Sequence, residues 1–191
     1  MLITNDFEVA QPVDKVWQFF GDIPRVASSL PGAELTETLA DDKYGGRVEV
    51  RMGPVRLRFT GTAEITERDE AARRIVVHAA GAEERGRGQA SMVVTATLVP
   101  AGRGTKVGVT QDLQLSGAAA QYGRGMISDV TAVLMRDFAA NLASQIAGAE
   151  RGETVQNAAA PAGGLAIGLR AALMALRRVF RRFFVPYEAA N

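Results

Sequence analysis

The side chains able to do chemistry are few, and their spacing assembles no reaction centre. His78 is the one histidine and cysteine is absent. Thiol catalysis, disulfides and cysteine-based metal sites are thereby excluded. His78 stands between Val77 and Ala79 in "RIVVHA", where strand alternation turns it toward water. A general base there would need an oriented partner, and no neighbour supplies one. The acid pairs Asp41-Asp42, Asp69-Glu70 and Glu83-Glu84 fall in expected turns. They read as solvated turn residues, not as oxygens converging on a hard cation. Gly86-x-Gly88 and Gly123-x-Gly125 lack the Gly-Lys-Ser/Thr and the parallel βαβ unit of a phosphate loop. Two explanations stand for the second pair: close packing of helix on sheet, or a narrow opening beside Tyr122 and Arg124. No catalytic residue and no metal ligand is assigned.

The elements that would position a site follow from periodicity. Residues 2–10 are β-like. After Pro12, "VDKVWQFF" spaces Val13, Val16, Trp17 and Phe20 as a helix, and "DIPRVASSL" gives a second short one. A long β region follows. "RVEVRM", "VRLRFTGTAEIT", "RIVVHA", "GRGQASMVVTATLVP" and "GTKVGVTQDLQL" alternate apolar and polar residues with a period of two. Such strands build an antiparallel sheet with one dry face. From about Ala118 to Ala147 the period changes to three or four, so one long amphipathic helix is expected. It is the only element able to cover the dry face. The class is α+β: a helix-grip fold, with a curved antiparallel sheet of about six to seven strands wrapped around the long helix, in residues 1–149.

If the sheet and helix enclose a space, its walls would be Met52, Leu57, Phe59, Met92, Val94, Val109, Leu113, Met126, Val130, Val133, Leu134 and Phe138, with Tyr122 at the rim. Plain core is the competing account of any one of them. Two features favour a ligand cavity. Met52, Met92 and Met126 are flexible and adapt to varied apolar shapes. Gln111 interrupts the inward run Val107, Val109, Leu113, Leu115, and a buried amide without a partner costs about 1–3 kcal/mol. Gln111 should therefore bond a core group, a water or a ligand carbonyl.

The charge is unevenly spread. After residue 150, Arg151, Arg170, Arg177, Arg178, Arg181 and Arg182 face only Glu153 and Glu188, so that part carries +4. Taken from the 22 Lys/Arg and 21 Asp/Glu of the chain, this leaves residues 1–150 at −3. An acidic body argues against nucleic acid as a partner. Residues 150–163, rich in Ala and Gly, read as a flexible linker, and 164–187 as a basic amphipathic tail helix. At about 100° per residue, Leu169, Leu173, Leu176, Phe180, Phe183 and Phe184 fall on one arc. Arg170, Arg177, Arg178, Arg181 and Arg182 fall opposite. A spanning helix would place Arg177 and Arg178 in hydrocarbon at roughly 2.5–3.5 kcal/mol each. An interfacial helix sets them against anionic headgroups instead. Docking to a partner protein, or folding back on the body or on a second copy, are the other readings. The N-terminus shows no secretory pattern. The expectation is a cytoplasmic protein, peripheral on the cytosolic face of the membrane.

"PVDKVWQFFGDIPRVASSLPGAEL", "VRMGPVRLRFTG" and "LSGAAAQYGRGMISDVTAVLMRDFAANL" resemble the carbon monoxide dehydrogenase CoxG family of the START-like (SRPBCC) superfamily. The similarity covers about residues 1–148. Its most specific parts are Leu30-Pro31-Gly32, Met52-Gly53-Pro54 and Gln121 to Met126. The resemblance implies a domain with an elongated apolar cavity and an accessory, non-enzymatic role beside a molybdenum-containing CO dehydrogenase, whose own subunits carry metal and flavin. No intrinsic cofactor is implied. Such a dehydrogenase would pass electrons to a membrane-dissolved quinone, so the expected ligand is an isoprenoid quinone such as menaquinone. A scaffold that recruits the dehydrogenase to the membrane without a ligand is the alternative. A cyclase-type enzyme, known on this fold, lacks a visible acid–base pair.

Overall fold

Residues 1–150 are described by the structure, a computed structural model. They fall within a unit spanning Met1–Gln156, and the expected linker and tail lie outside the described residues, apart from the backbone of Glu150. Strand β1 (Leu2–Val9) leads through Pro12 into helix α1 (Val13–Gly21). Val16, Phe19 and Phe20 of α1 share the buried side, as their spacing of three and one requires. Helix α2 (Ile23–Ser29) follows at once. Asp22 caps it by accepting the Arg25 backbone N–H at 3.2 Å, with Pro24 in the first turn.

Six strands then run as a meander: β2 (Ala33–Ala40), β3 (Lys43–Met52), β4 (Val55–Asp69), β5 (Arg74–Glu83), β6 (Gln89–Ala101) and β7 (Gly104–Leu115). With β1 closing on β7, the order is β1-β7-β6-β5-β4-β3-β2, antiparallel throughout. The alternation that defined the other strands passes over β2. Its segment "AELTETLA" is exposed along most of its length, and its place comes from backbone pairing with β3 at the sheet edge.

The long helix begins later than the periodicity suggests. Gly117–Gln121 forms a 3-10 turn, and α3 runs from Arg124 to Glu150. Gly117 has a φ of +67°, and a Cβ on it would lie 2.2 Å from the Arg87 carbonyl oxygen. Only glycine allows the chain to leave β7 so close to the β5–β6 turn. Helix α3 then crosses the inner face of the sheet with Ile127, Thr131, Phe138, Leu142 and Ile146 buried. It lies nearer to β1, α2 and β3 than to the middle strands. This is the expected helix-grip arrangement.

The packing forms two clusters. The first gathers Val9, Val16, Phe19, Phe20, Ile65, Ile75, Ala96, Leu98, Val107, Val109, Phe138, Leu142 and Ile146 beneath α1 and the second half of α3. Phe138 stands edge-on to Phe7 (6.0 Å between centroids) and to Phe20 (6.2 Å). The second, smaller cluster joins Ile3, Met52, Leu57, Phe59, Ala119 and Ile127 at the opposite end.

Candidate functional site

The strand register shows what lies between the clusters. Met92 of β6 is paired with Ala79 of β5, Ala79 with Ala63 of β4, and Ala63 with Tyr44 of β3. The next row runs Ala90, Gly81, Gly61, Gly46. Paired residues share a face, and this is the face that α3 crosses. Yet all eight are only half-buried, unlike Val109, Ala96 and Ile75 further along the same sheet. Half-buried residues on this inward face make the space between sheet and helix the candidate hollow. Two features open it: all of the eight except Tyr44 are Met, Ala or Gly, and α3 arches nearest the flanks. A Cβ on Gly61 would lie 2.0 Å from the Ala80 carbonyl oxygen. The glycine therefore lets β4 and β5 pinch together and the sheet bend.

The expected wall residues separate into groups. Met92 belongs to neither cluster, and Leu134 on α3 is likewise half-buried outside both. Met52, Leu57 and Phe59 are buried in the smaller cluster, with Leu113, Tyr122 and Val130 packed on it. Val94 packs on the larger cluster and Val109 lies inside it. Phe138 is 5% exposed at the centre of the aromatic contacts, so it is packed core, not a free wall. Met126 and Val133 need the firmest correction. They are 46% and 45% exposed, on the outer side of α3. The inward stripe is set by Ile127, Thr131, Phe138 and Leu142, and both residues lie well over 90° from it at about 100° per residue.

Polar groups near the hollow are sparse. Gln111 is 7% exposed, pairs with Val94 and Ile3 in the sheet, and has no hydrogen-bond partner for its Nε2 within the protein. Asn5, on the inward set Ile3, Asn5, Phe7, Val9 of β1, is in the same condition: its Nδ2 is buried and unpartnered. Asn5 was legible from the alternation that singled out Gln111, but β1 alternates too loosely to draw attention to it.

Glu83 overturns the expectation of a solvated turn residue. It is 4% exposed and inward-facing, opposite Phe59. Arg87 grips it (Nη2 to Oε1 2.8 Å, Nε to Oε2 3.2 Å), and the backbone N–H groups of Arg85 and Arg87 donate to the same carboxylate. The Arg87 guanidinium, with those N–H groups, lowers its pKa to about 2. The pair staples the β5–β6 turn. Its neighbour Glu84 is exposed, as are Asp41-Asp42, Asp69-Glu70 and His78.

Close packing does not explain Gly123 and Gly125, since a Cβ on either would meet nothing within 4 Å. The Gly86-x-Gly88 pair differs, because a Cβ on Gly88 would lie 2.2 Å from the Ser116 carbonyl oxygen. A cleft of about 280 Å³ lies elsewhere, lined by Lys15, Gln18, Phe19, Asp22, Arg25, Ile146 and Ala149. Two of its polar groups are engaged locally: Asp22 caps α2 and Arg25 stacks over Phe19 at 5.1 Å. Among the described residues no three His, Asp or Glu side chains are grouped to hold a metal ion, and no helix is long and apolar enough to cross a membrane.

Several solved structures share the fold. A conserved protein from Geobacillus kaustophilus is 20% identical, with a TM-score of 0.70 over 78% of this chain and 97% of that one. A Thermus thermophilus protein is 16% identical, with a TM-score of 0.56 over 78% and 99%. An aromatase/cyclase from Streptomyces sp. R1128 is 17% identical, with a TM-score of 0.51 over 81% and 96%. These likenesses establish the helix-grip fold. No curated protein matches the chain. The model of one family, the CoxG subunit of carbon monoxide dehydrogenase, matches residues 6–147. With three-quarters of its length and nearly all of its helix-grip body matched, the chain belongs to the CoxG family, which is associated with CO dehydrogenase.

Proposed function

We propose that this protein is a non-enzymatic carrier of an apolar ligand, an isoprenoid quinone, working at a membrane surface to link CO dehydrogenase to the quinone pool. The observation that carries this reading is the half-buried inward band Met92–Ala79–Ala63 beneath α3. Apolar surface open to water inside a domain costs about 25 cal/mol per Å² relative to covered surface, and an apolar ligand would remove that cost. The polar residues around the band are Tyr44, Gln111, Asn5 and Glu83, and the carboxylate of Glu83 is already held by Arg87, which gives an enzyme reading no free acid or base. The membrane part of the proposal rests on the sorting of Leu169, Leu173, Leu176, Phe180, Phe183 and Phe184 against five arginines in the sequence.

Met92→Trp tests the hollow. Full-length protein is incubated with menaquinone-loaded vesicles, re-isolated and assayed for quinone. The wild type should carry quinone, and Met92→Trp should carry little while melting near the wild-type temperature. Undiminished loading of Met92→Trp would mean that the hollow is not the binding place. A wild type that carries none, yet brings the dehydrogenase to vesicles, would favour the ligand-free scaffold. Truncation of residues 161–191 should abolish co-sedimentation with vesicles containing anionic lipid, and unchanged co-sedimentation would refute the membrane role.

A further inference from the structure

We infer that the polar end of the bound ligand is a hydrogen-bond acceptor, a carbonyl oxygen, and that Gln111 and Asn5 are the residues that select it. The inference rests on the carrier reading and names the chemistry that reading leaves open. Gln111 is more than nine-tenths buried and Asn5 Nδ2 is fully covered, and neither amide nitrogen has a partner within the protein. Both side chains stand on the inner face of adjacent strands. Asn5 pairs with Val109 and Gln111 with Ile3, a diagonal relation that brings Cβ atoms within about 8 Å. Gln111 also neighbours Val94, one pairing step from Met92 in the open band.

An amide NH2 donates and does not accept. Two unmatched donors on a largely apolar wall therefore complement an acceptor. Burial leaves such donors costly until they are matched, so a ligand carbonyl would recover what folding leaves unsatisfied. The ring carbonyl oxygens of a quinone are acceptors of this kind.

Equilibrium dialysis of the full chain against duroquinone and durene separates carbonyl recognition from simple apolar fit. Duroquinone should bind about tenfold more tightly than durene. Gln111→Met, close in shape, should erase most of that preference, leave durene binding intact and not lower the melting temperature. Asn5→Leu should reduce the preference in the same direction. Equal binding of duroquinone and durene by the wild type, or full preference retained in both variants, would overturn the assignment. Failure of both compounds to bind the wild type would instead defeat the carrier reading, and the assignment with it.

Discussion

The end of the sheet beneath α1 and the band beneath the first half of α3 are written in the same alternating pattern, yet only one is closely buried. At the α1 end, Val9, Val16, Phe19, Leu98, Val107 and Leu142 are almost wholly buried. Three layers meet there: the sheet, α1 with α2, and the second half of α3. In the band, Met92, Ala79, Ala63 and the glycines of the next row face inward and remain half-buried. Small side chains on a bent sheet leave more space than one helix can occupy. Period-two alternation states which side chains point inward; it does not state whether anything fills the space they meet.

The sharpest way to break this contrast is to truncate one residue in each region. Leu142→Ala, at a site with no exposure, should destabilise by about 3–5 kcal/mol in a urea titration. Met92→Ala should cost well under half as much, because part of its surface already meets water. Equal losses would mean that the band is ordinary core.

Glu83 supplies the next test, at the turn closing the band's far row. Its carboxyl is held down to about 2 by Arg87 and two backbone N–H groups. A lowered folded pKa contributes stability that is complete above the ordinary value of 4.5 and is lost as pH falls toward 2. Glu83→Gln should therefore melt below the wild type at pH 7, with the gap narrowing as pH drops through that window. A gap independent of pH would deny the ion pair its role.

Gly125→Ala bears on the helix start. A methyl group there meets nothing within 4 Å, and alanine is the better helix former. The substitution should stabilise by up to about 1 kcal/mol, seen as a higher melting temperature. If ligand loading slows while stability rises, the glycine serves an opening motion. If both are unchanged, position 125 has neither role.

The residues that made the fold legible are those with strict alternation or a clean three-four period. Val107 to Leu115 and Ala90 to Leu98 point inward as their spacing requires. Three features escaped because their causes are not periodic. Strand β2 exists through backbone pairing at an edge, which side chains do not encode. Helix α3 starts at Arg124 because Gly117 takes a left-handed conformation against the Arg87 carbonyl, a long-range contact. Met126 and Val133 recur at the three-four spacing, but which stripe of α3 meets the sheet is decided by packing, through Ile127, Thr131, Phe138 and Leu142, and not by the period. Glu83 was hidden for a related reason: its partner Arg87 sits four residues away across a tight turn, and only the closed turn brings them together. Gln111 was legible as an oddity in an apolar run, and its unpartnered nitrogen gives that oddity a chemical direction.

The central claim is that the band holds an isoprenoid quinone, and the most direct measurement is of the protein as it leaves the cell. Full-length protein purified without detergent should yield, on organic extraction and mass spectrometry, an isoprenoid quinone near one per chain. An extract containing no quinone or other apolar ligand, from folded protein of native sequence, would contradict the account.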